Sequence, residues 1–386
     1  MWRMSMCCDS IISIFLVLLS GHLCNSQTRN RPITIHNCTQ SGQLCVVHSE
    51  CSNSRSLIIS GRAKLCGFQD EVNKKGSKIC CNSTNIIKTR NSTAVALQKC
   101  KEYGKYRFVK KLMQPDLPGQ EDYYFDVPDC VNVQELVVGG IPAQPKEYPH
   151  MALIGYGSDL KTVTWNCGGS LISENFIMSA AHCVKTQLGP PRWVLLGELD
   201  ISSTTEDAKP KIYSIVKVHN HPQYNSKSLY YDISLFQLNT TVELGPYVRP
   251  ACLYTASTDS LIKFRASITG WGRTGAAERS SNSLQKATIG IVDHQNCTTS
   301  FEARPTLERG YDSKSMICAG DIDKGIDTCP GDSGGPLQIL IPNETCMWNI
   351  IGVTSFGPSI CGNNEDSGVY TKVPYYLDWI QSIVWP

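Results

Sequence analysis

From Val137 onward, short β-branched and aromatic runs alternate with clusters of Gly, Pro, Asn and Ser. Met151-Ala152-Leu153-Ile154, Trp193-Val194-Leu195-Leu196 and Ile350-Ile351-Gly352-Val353 are examples. Apolar runs of this length, punctuated by turn residues, predict many short antiparallel strands in a barrel or sandwich. The period changes only near the C-terminus. Tyr376, Trp379, Ile380 and Ile383 fall at helical spacing and predict an amphipathic helix over Tyr375–Val384. No repeat of fixed period runs through the chain.

The N-terminus has a different texture. Arg3 precedes the apolar run Ile11–Leu19, which stops at Ser20. Such a run is too short to cross a bilayer and is laid out as a signal peptide over 1–26, cut near Ser26. The expectation is a secreted, extracellular protein of a haemolymph-like fluid, without membrane insertion. Six Asn-x-Ser/Thr sites, at Asn37, Asn82, Asn91, Asn239, Asn296 and Asn343, suit that route and are candidate glycosylation positions. The 36 basic and 34 acidic side chains leave a formal charge of +2 in 386 residues, which gives nucleic acid no role as a partner.

Nineteen cysteines change the picture further, because a reducing compartment would not keep so many paired. Cleavage of the leader removes Cys7, Cys8 and Cys24 and leaves sixteen, an even number. Cys38, Cys45, Cys51, Cys66, Cys80 and Cys81 crowd into residues 38–81. A unit this small buries too little apolar surface to offset its chain entropy, so crosslinks must supply the difference. A zinc site would need CxxC pairs or partnering histidines, which are missing. Spacing alone leaves open every pairing that six cysteines allow. The pattern, closing on the adjacent pair Cys80-Cys81, resembles the clip domain of arthropod serine proteases. That resemblance implies Cys38–Cys80, Cys45–Cys66 and Cys51–Cys81. Residues 82–136 read as a linker and activation segment, with a basic run at Lys99, Lys101, Lys105, Arg107, Lys110 and Lys111 before acidic Glu121, Asp122 and Asp126.

Three strings carry chemistry. Gly331-Asp332-Ser333-Gly334-Gly335 sets a serine in a glycine-rich turn whose backbone a substrate carbonyl can approach. Ala180-Ala181-His182-Cys183 places a histidine beside a cysteine that can pin it. Asp232 is a carboxylate within an apolar run, where burial is costly unless it has a partner. A hydroxyl nucleophile needs a base for its proton, and the base needs an acid to fix its tautomer. In the order His, Asp, Ser, the three resemble the chymotrypsin-like (trypsin) serine proteases over 137–386. The implied fold is all-β, a double antiparallel barrel with a C-terminal helix.

The resemblance implies Ser333 as nucleophile, His182 as general base and Asp232 as its orienting acid. The amides of Gly331 and Ser333 would form the oxyanion hole. Asp327 would sit at the base of the substrate pocket and select Arg or Lys, with Ser355, Gly357 and Gly368 along its walls. Val137-Val138-Gly139-Gly140 resembles the new N-terminus of an activated zymogen, freed by cleavage after Leu136 and paired with Asp332. No basic residue lies between Cys130 and Val137, so an enzyme with an acidic pocket should cut its own activation bond poorly. The implied partners are an upstream protease of apolar preference, a downstream protease zymogen as substrate, and a serpin inhibitor, in an immune cascade of melanisation or Toll type. Pro330 and Phe356 depart mildly from the family pattern. The remaining bridges, by resemblance and elimination, are Cys167–Cys183, Cys297–Cys318, Cys329–Cys361 and Cys130–Cys252, leaving Cys100–Cys346 by parity.

Two signals point elsewhere. Gly270-Trp271-Gly272-Arg273-Thr274-Gly275 spells GxGxxG, but a polar loop follows it where a dinucleotide fold needs a helix, so it reads as a barrel turn. Glu198, Glu206 and Asp207 offer oxygen donors of the kind Ca²⁺ takes, on a loop where some members of the family bind it. Catalysis itself needs no cofactor. A catalytically silent clip-domain homologue would typically lack the serine, and a digestive trypsin would lack the clip module.

Overall fold

The computed structural model describes residues 38, 43–47, 65–70, 75–82, 91–113, 122–131, 140–205, 207–262, 264–273, 280–320, 331–341, 346–357 and 367–386. They fall into two units, Met1–Asn91 and Ser92–Pro386. In the first, β1 (Gln43–Val47), β2 (Leu65–Asp70) and β3 (Lys75–Asn82) form an antiparallel sheet in the order β1-β3-β2. Cys38–Cys80 and Cys45–Cys66 close it, with Cα atoms 5.3 and 5.8 Å apart. Cys51 and the side chain of Cys81 lie outside the described residues, as does the leader 1–26.

From Ser92 on, the described residues of the segment read as a linker belong to the second unit. Helix α1 (Asn91–Gly104) turns Ser92, Ala96, Cys100 and Tyr103 to one side, the spacing at which helical residues share a face. Ser92, Ala96 and Tyr103 are buried there. Ser92 Oγ donates to Asp378 Oδ1 (2.7 Å), and Tyr103 OH donates to Glu174 Oε2 (2.9 Å) while accepting from Trp385 Nε1 (3.3 Å). The hairpin of β4 (Phe108–Met113) and β5 (Tyr123–Pro128) follows.

This arrangement corrects two expected bridges. Cys100 bonds Cys252 and Cys130 bonds Cys346, instead of Cys130–Cys252 and Cys100–Cys346. The buried face of α1 presents Cys100 to Cys252, while the end of the hairpin delivers Cys130 to Cys346. Parity fixes only that four cysteines pair, not how.

Two barrels make up the rest. After β6 (Ile141–Pro142), strands β7 (Met151–Tyr156), β8 (Thr164–Ser173), β9 (Phe176–Ser179), β10 (Pro191–Leu196), β11 (Lys211–Asn220) and β12 (Ser234–Leu238) close in the order β10-β11-β12-β9-β8-β7. All of β7 is buried, which explains why its apolar run does not alternate. Ile154, Leu171, Ile177, Val194 and Phe236 fill this core. In the second barrel, β13 (Cys252–Leu253) lies parallel to a later strand, and β14 (Arg265–Gly270) pairs with β15 (Gln285–Ile291). Helix α2 (His294–Ser300), N-capped by Asp293, leads to β16 (Met316–Gly320) through the Cys297–Cys318 bridge. Strands β17 (Pro336–Leu340), β18 (Trp348–Phe356) and β19 (Gly368–Lys372) complete the ring β18-β17-β14-β15-β16-β19, which the β18–β19 pairing closes. Ile268, Ile289, Leu337, Ile351 and Tyr370 pack inside.

The C-terminal helix α3 (Leu377–Val384) follows a 3₁₀ turn at Val373–Tyr376. It inserts Leu377, Ile380 and Val384 into the first barrel's core. Among the described residues, no helix is long and apolar enough to cross a membrane.

Candidate active site

His182 lies in a 3₁₀ turn, Ala181–Val184, directly after β9. The Cys167–Cys183 bridge pins that turn to β8. Asp232 enters from the residues before β12. Its neighbour Tyr231 has φ +59°, a left-handed conformation unusual for a residue with a Cβ, which directs the next side chain inward. The pieces meet closely: His182 Nδ1 is 2.8 Å from Asp232 Oδ2, and the His182 amide donates to Asp232 Oδ1 at 2.9 Å. Ser355 Oγ donates to Asp232 Oδ2, and Thr371 Oγ1 donates to the Asp232 carbonyl at 2.8 Å.

The side chain of Asp232 is 4% exposed and that of His182 34%, so the acid is sealed while the imidazole still reaches solvent. Burial alone would raise the carboxyl pKa, but the facing imidazole and the hydrogen bonds from His182 and Ser355 hold it below the usual carboxylate range. Burial likewise pushes His182 down, and the charge and hydrogen bond of Asp232 outweigh it, so its pKa lies above an ordinary histidine's.

Ser333 comes from the second barrel, in the turn before β17. The Gly168 amide donates to the Ser333 carbonyl (2.8 Å), and Cys183 Sγ touches the same oxygen at 3.7 Å, which brings this turn against the histidine segment. Gly331 has φ +106°, and a Cβ there would stand 2.8 Å from Gly272 Cα. Asp332 Oδ1 accepts the Gly272 amide at 2.9 Å. A Cβ on Gly270 or Gly272 would reach within 2.0 or 2.6 Å of that carboxyl group. The first two glycines of the GxGxxG string are therefore the cradle of Asp332, a role their sequence spacing does not announce.

Ser355 bonds the acid rather than standing only on a pocket wall, Gly357 is exposed, and Gly368 is buried at the start of β19. Asp327, Cys329, Cys361, Leu136 and Val137 lie outside the described residues, as do Asn37, Asn343 and the side chains of Asn82 and Asn91. Asn239 and Asn296 are exposed. Of the acidic loop, Glu206 is outside the described residues, Glu198 Oε1 accepts the Leu199 amide (2.9 Å), and Asp207 accepts Tyr247 OH. Lys146 and Lys209 stand over the Tyr247 ring.

Known proteins are similar to this chain in sequence. The family model described as Trypsin matches residues 137–380. The chain belongs to the trypsin family. Serine protease snk of Drosophila melanogaster is 33% identical over 88% of this chain and 75% of its own length. Phenoloxidase-activating factor 1 of Holotrichia diomphalia is 30% identical over 92% of this chain and 91% of its own. CLIP domain-containing serine protease HP8 of Bombyx mori is 30% identical over 96% of both. This member of the trypsin family is a clip-domain serine endopeptidase of the arthropod type, with the double β-barrel expected of it.

Proposed function

We propose that this protease is a secreted zymogen that cleaves protein substrates after Arg or Lys once its Leu136–Val137 bond has been cut. The observation that carries the catalytic part is the His182–Asp232 pair at 2.8 Å, with the Ser333 turn against the neighbouring Cys183. Ser333 Oγ attacks the scissile carbonyl and passes its proton to His182 Nε2. The carbonyl oxygen gains the negative charge, which the amides of Gly331 and Ser333 stabilise. His182 then returns the proton to the leaving amine, whose C–N bond breaks to leave an acyl-enzyme. Water, deprotonated by the same imidazole, hydrolyses that ester and restores Ser333. Asp232 keeps the imidazole in the tautomer that leaves Nε2 free and stabilises its cation.

Asp327 at the pocket base favours a guanidinium or ammonium group by charge and hydrogen bonding. Val137, once freed, carries an α-amino group to Asp332. The names of the relatives, a phenoloxidase-activating factor and a melanization protease among them, support a place in an extracellular immune cascade, with an activating protease above and a zymogen substrate below. The test uses the full chain cut at Leu136 and confirmed by its new Val137 terminus. It should hydrolyse arginyl and lysyl esters and lose that activity when an organophosphate labels Ser333. A correctly cut enzyme inert toward both esters would refute the reading.

A further inference from the structure

The β4–β5 hairpin exposes large apolar side chains on both faces, Leu112 and Tyr124 on one and Met113, Tyr123 and Phe125 on the other. Its register pairs Lys111 with Phe125 and Met113 with Tyr123, so Lys111, Met113, Tyr123 and Phe125 share one face. Tyr123, Met113 and Phe125 are 52%, 42% and 38% exposed, and the two rings lie 6.4 Å apart. Among the described residues the ribbon pairs with no third strand. An isolated two-stranded ribbon is marginally stable, yet this one is anchored at its base. Arg107 O accepts the Asp129 amide (2.8 Å), Asp129 pairs with Lys146 (2.9 Å), and Cys130 is bonded to Cys346.

The anchor lies close in sequence to the activation bond. Six residues separate Cys130 from Val137, a reach of about 21 Å fully extended. Any protease holding Leu136 in its active site therefore works within that radius of the hairpin's base. Leu136 itself discriminates poorly, because an apolar pocket separates side chains differing by a methylene by only about 10- to 200-fold. A cascade that admits one activator needs recognition outside that pocket, and exposed aromatic and methionine side chains are the kind interfaces use.

We propose that Met113, Tyr123 and Phe125, with Lys111 at their edge, form the docking site of the activating protease, whose matching surface is apolar and bears a carboxylate. The proposal rests on Leu136–Val137 being the activation bond. The full-length zymogen and its M113A/Y123A/F125A and K111E variants are incubated with cell-free haemolymph from microbially challenged animals, and separately with chymotrypsin. Cleavage is followed by Val137 N-terminal sequencing. In haemolymph the triple variant should be cut at Leu136 at least tenfold more slowly and K111E about threefold more slowly, while chymotrypsin cuts all three proteins alike. Once cut by chymotrypsin, all three should hydrolyse arginyl esters equally. Equal rates in haemolymph would overturn the docking site alone. Slower chymotrypsin cleavage of the triple variant would also overturn it, by showing that the hairpin shapes the bond's own segment. A zymogen dimer dissociated by the triple substitution would overturn it by assigning the face to a second copy. Haemolymph cleavage at another bond would overturn the activation reading and the docking site with it.

Discussion

The two barrels contribute to the active site in different ways. The first supplies a pair, His182 and Asp232, held by two mutual hydrogen bonds, a disulfide beside the histidine and a left-handed residue before the aspartate. The second supplies a turn, Gly331–Gly335, whose shape depends on where one carboxylate, Asp332, is lodged between Gly270 and Gly272. The acid–base pair thus comes from one barrel, with Ser355 and Thr371 of the other bonding its acid, while the Ser333 turn is held by the Gly168 amide, by Thr354 and by the seat of Asp332. The activation proposed above would act on this turn, at Asp332, and not on the buried His–Asp pair.

Substitutions can break this contrast or sharpen it. Ser333→Ala should have the largest effect, about 10⁶-fold in kcat, the scale known for a triad without its nucleophile. The imidazole's titration, followed by NMR, should keep its raised midpoint, since no cause of that shift lies in Ser333. Asp232→Asn should cost about 10⁴-fold. It also removes the charge that lifts His182, so the acid limb of the kcat/KM profile should move to lower pH. An unmoved limb would contradict the source of the shift.

Gly272→Ala forces a methyl group against the Asp332 carboxyl and should cost about 100-fold in kcat, the scale of one lost oxyanion donor. His182 should titrate unchanged, and a shifted histidine would show that the barrels are not independent. Ser355→Ala removes one hydrogen bond from Asp232 and should cost about tenfold, equivalent to about 1.4 kcal/mol. Smallest of all, Tyr103→Phe should lower stability by about 1 kcal/mol in denaturant melts and leave kcat unaltered.

How much of this was readable beforehand varies by residue. The glycine-rich serine string, the Ala-Ala-His-Cys string and the lone Asp232 pointed to the triad because catalysis restricts residue types at short range. The strands at Met151, Trp193 and Ile350 and the final helix followed from apolar spacing. Helix α1 did not, because its inward stripe of Ser92, Ala96, Cys100 and Tyr103 holds no Leu, Ile, Val or Phe to mark an apolar period. The pairing of Cys100 and Cys130 was equally hidden, since it depends on where that helix docks. Nor does sequence spacing reveal that Gly270 and Gly272 make room for Asp332, a contact between segments some sixty residues apart.

The Cys100–Cys252 and Cys130–Cys346 bridges cross from one side of the proposed cut to the other. A cut at Leu136–Val137 would therefore leave the chain before it, from Cys100 to Cys130, joined to the barrels by two covalent ties, so that both products stay one molecule.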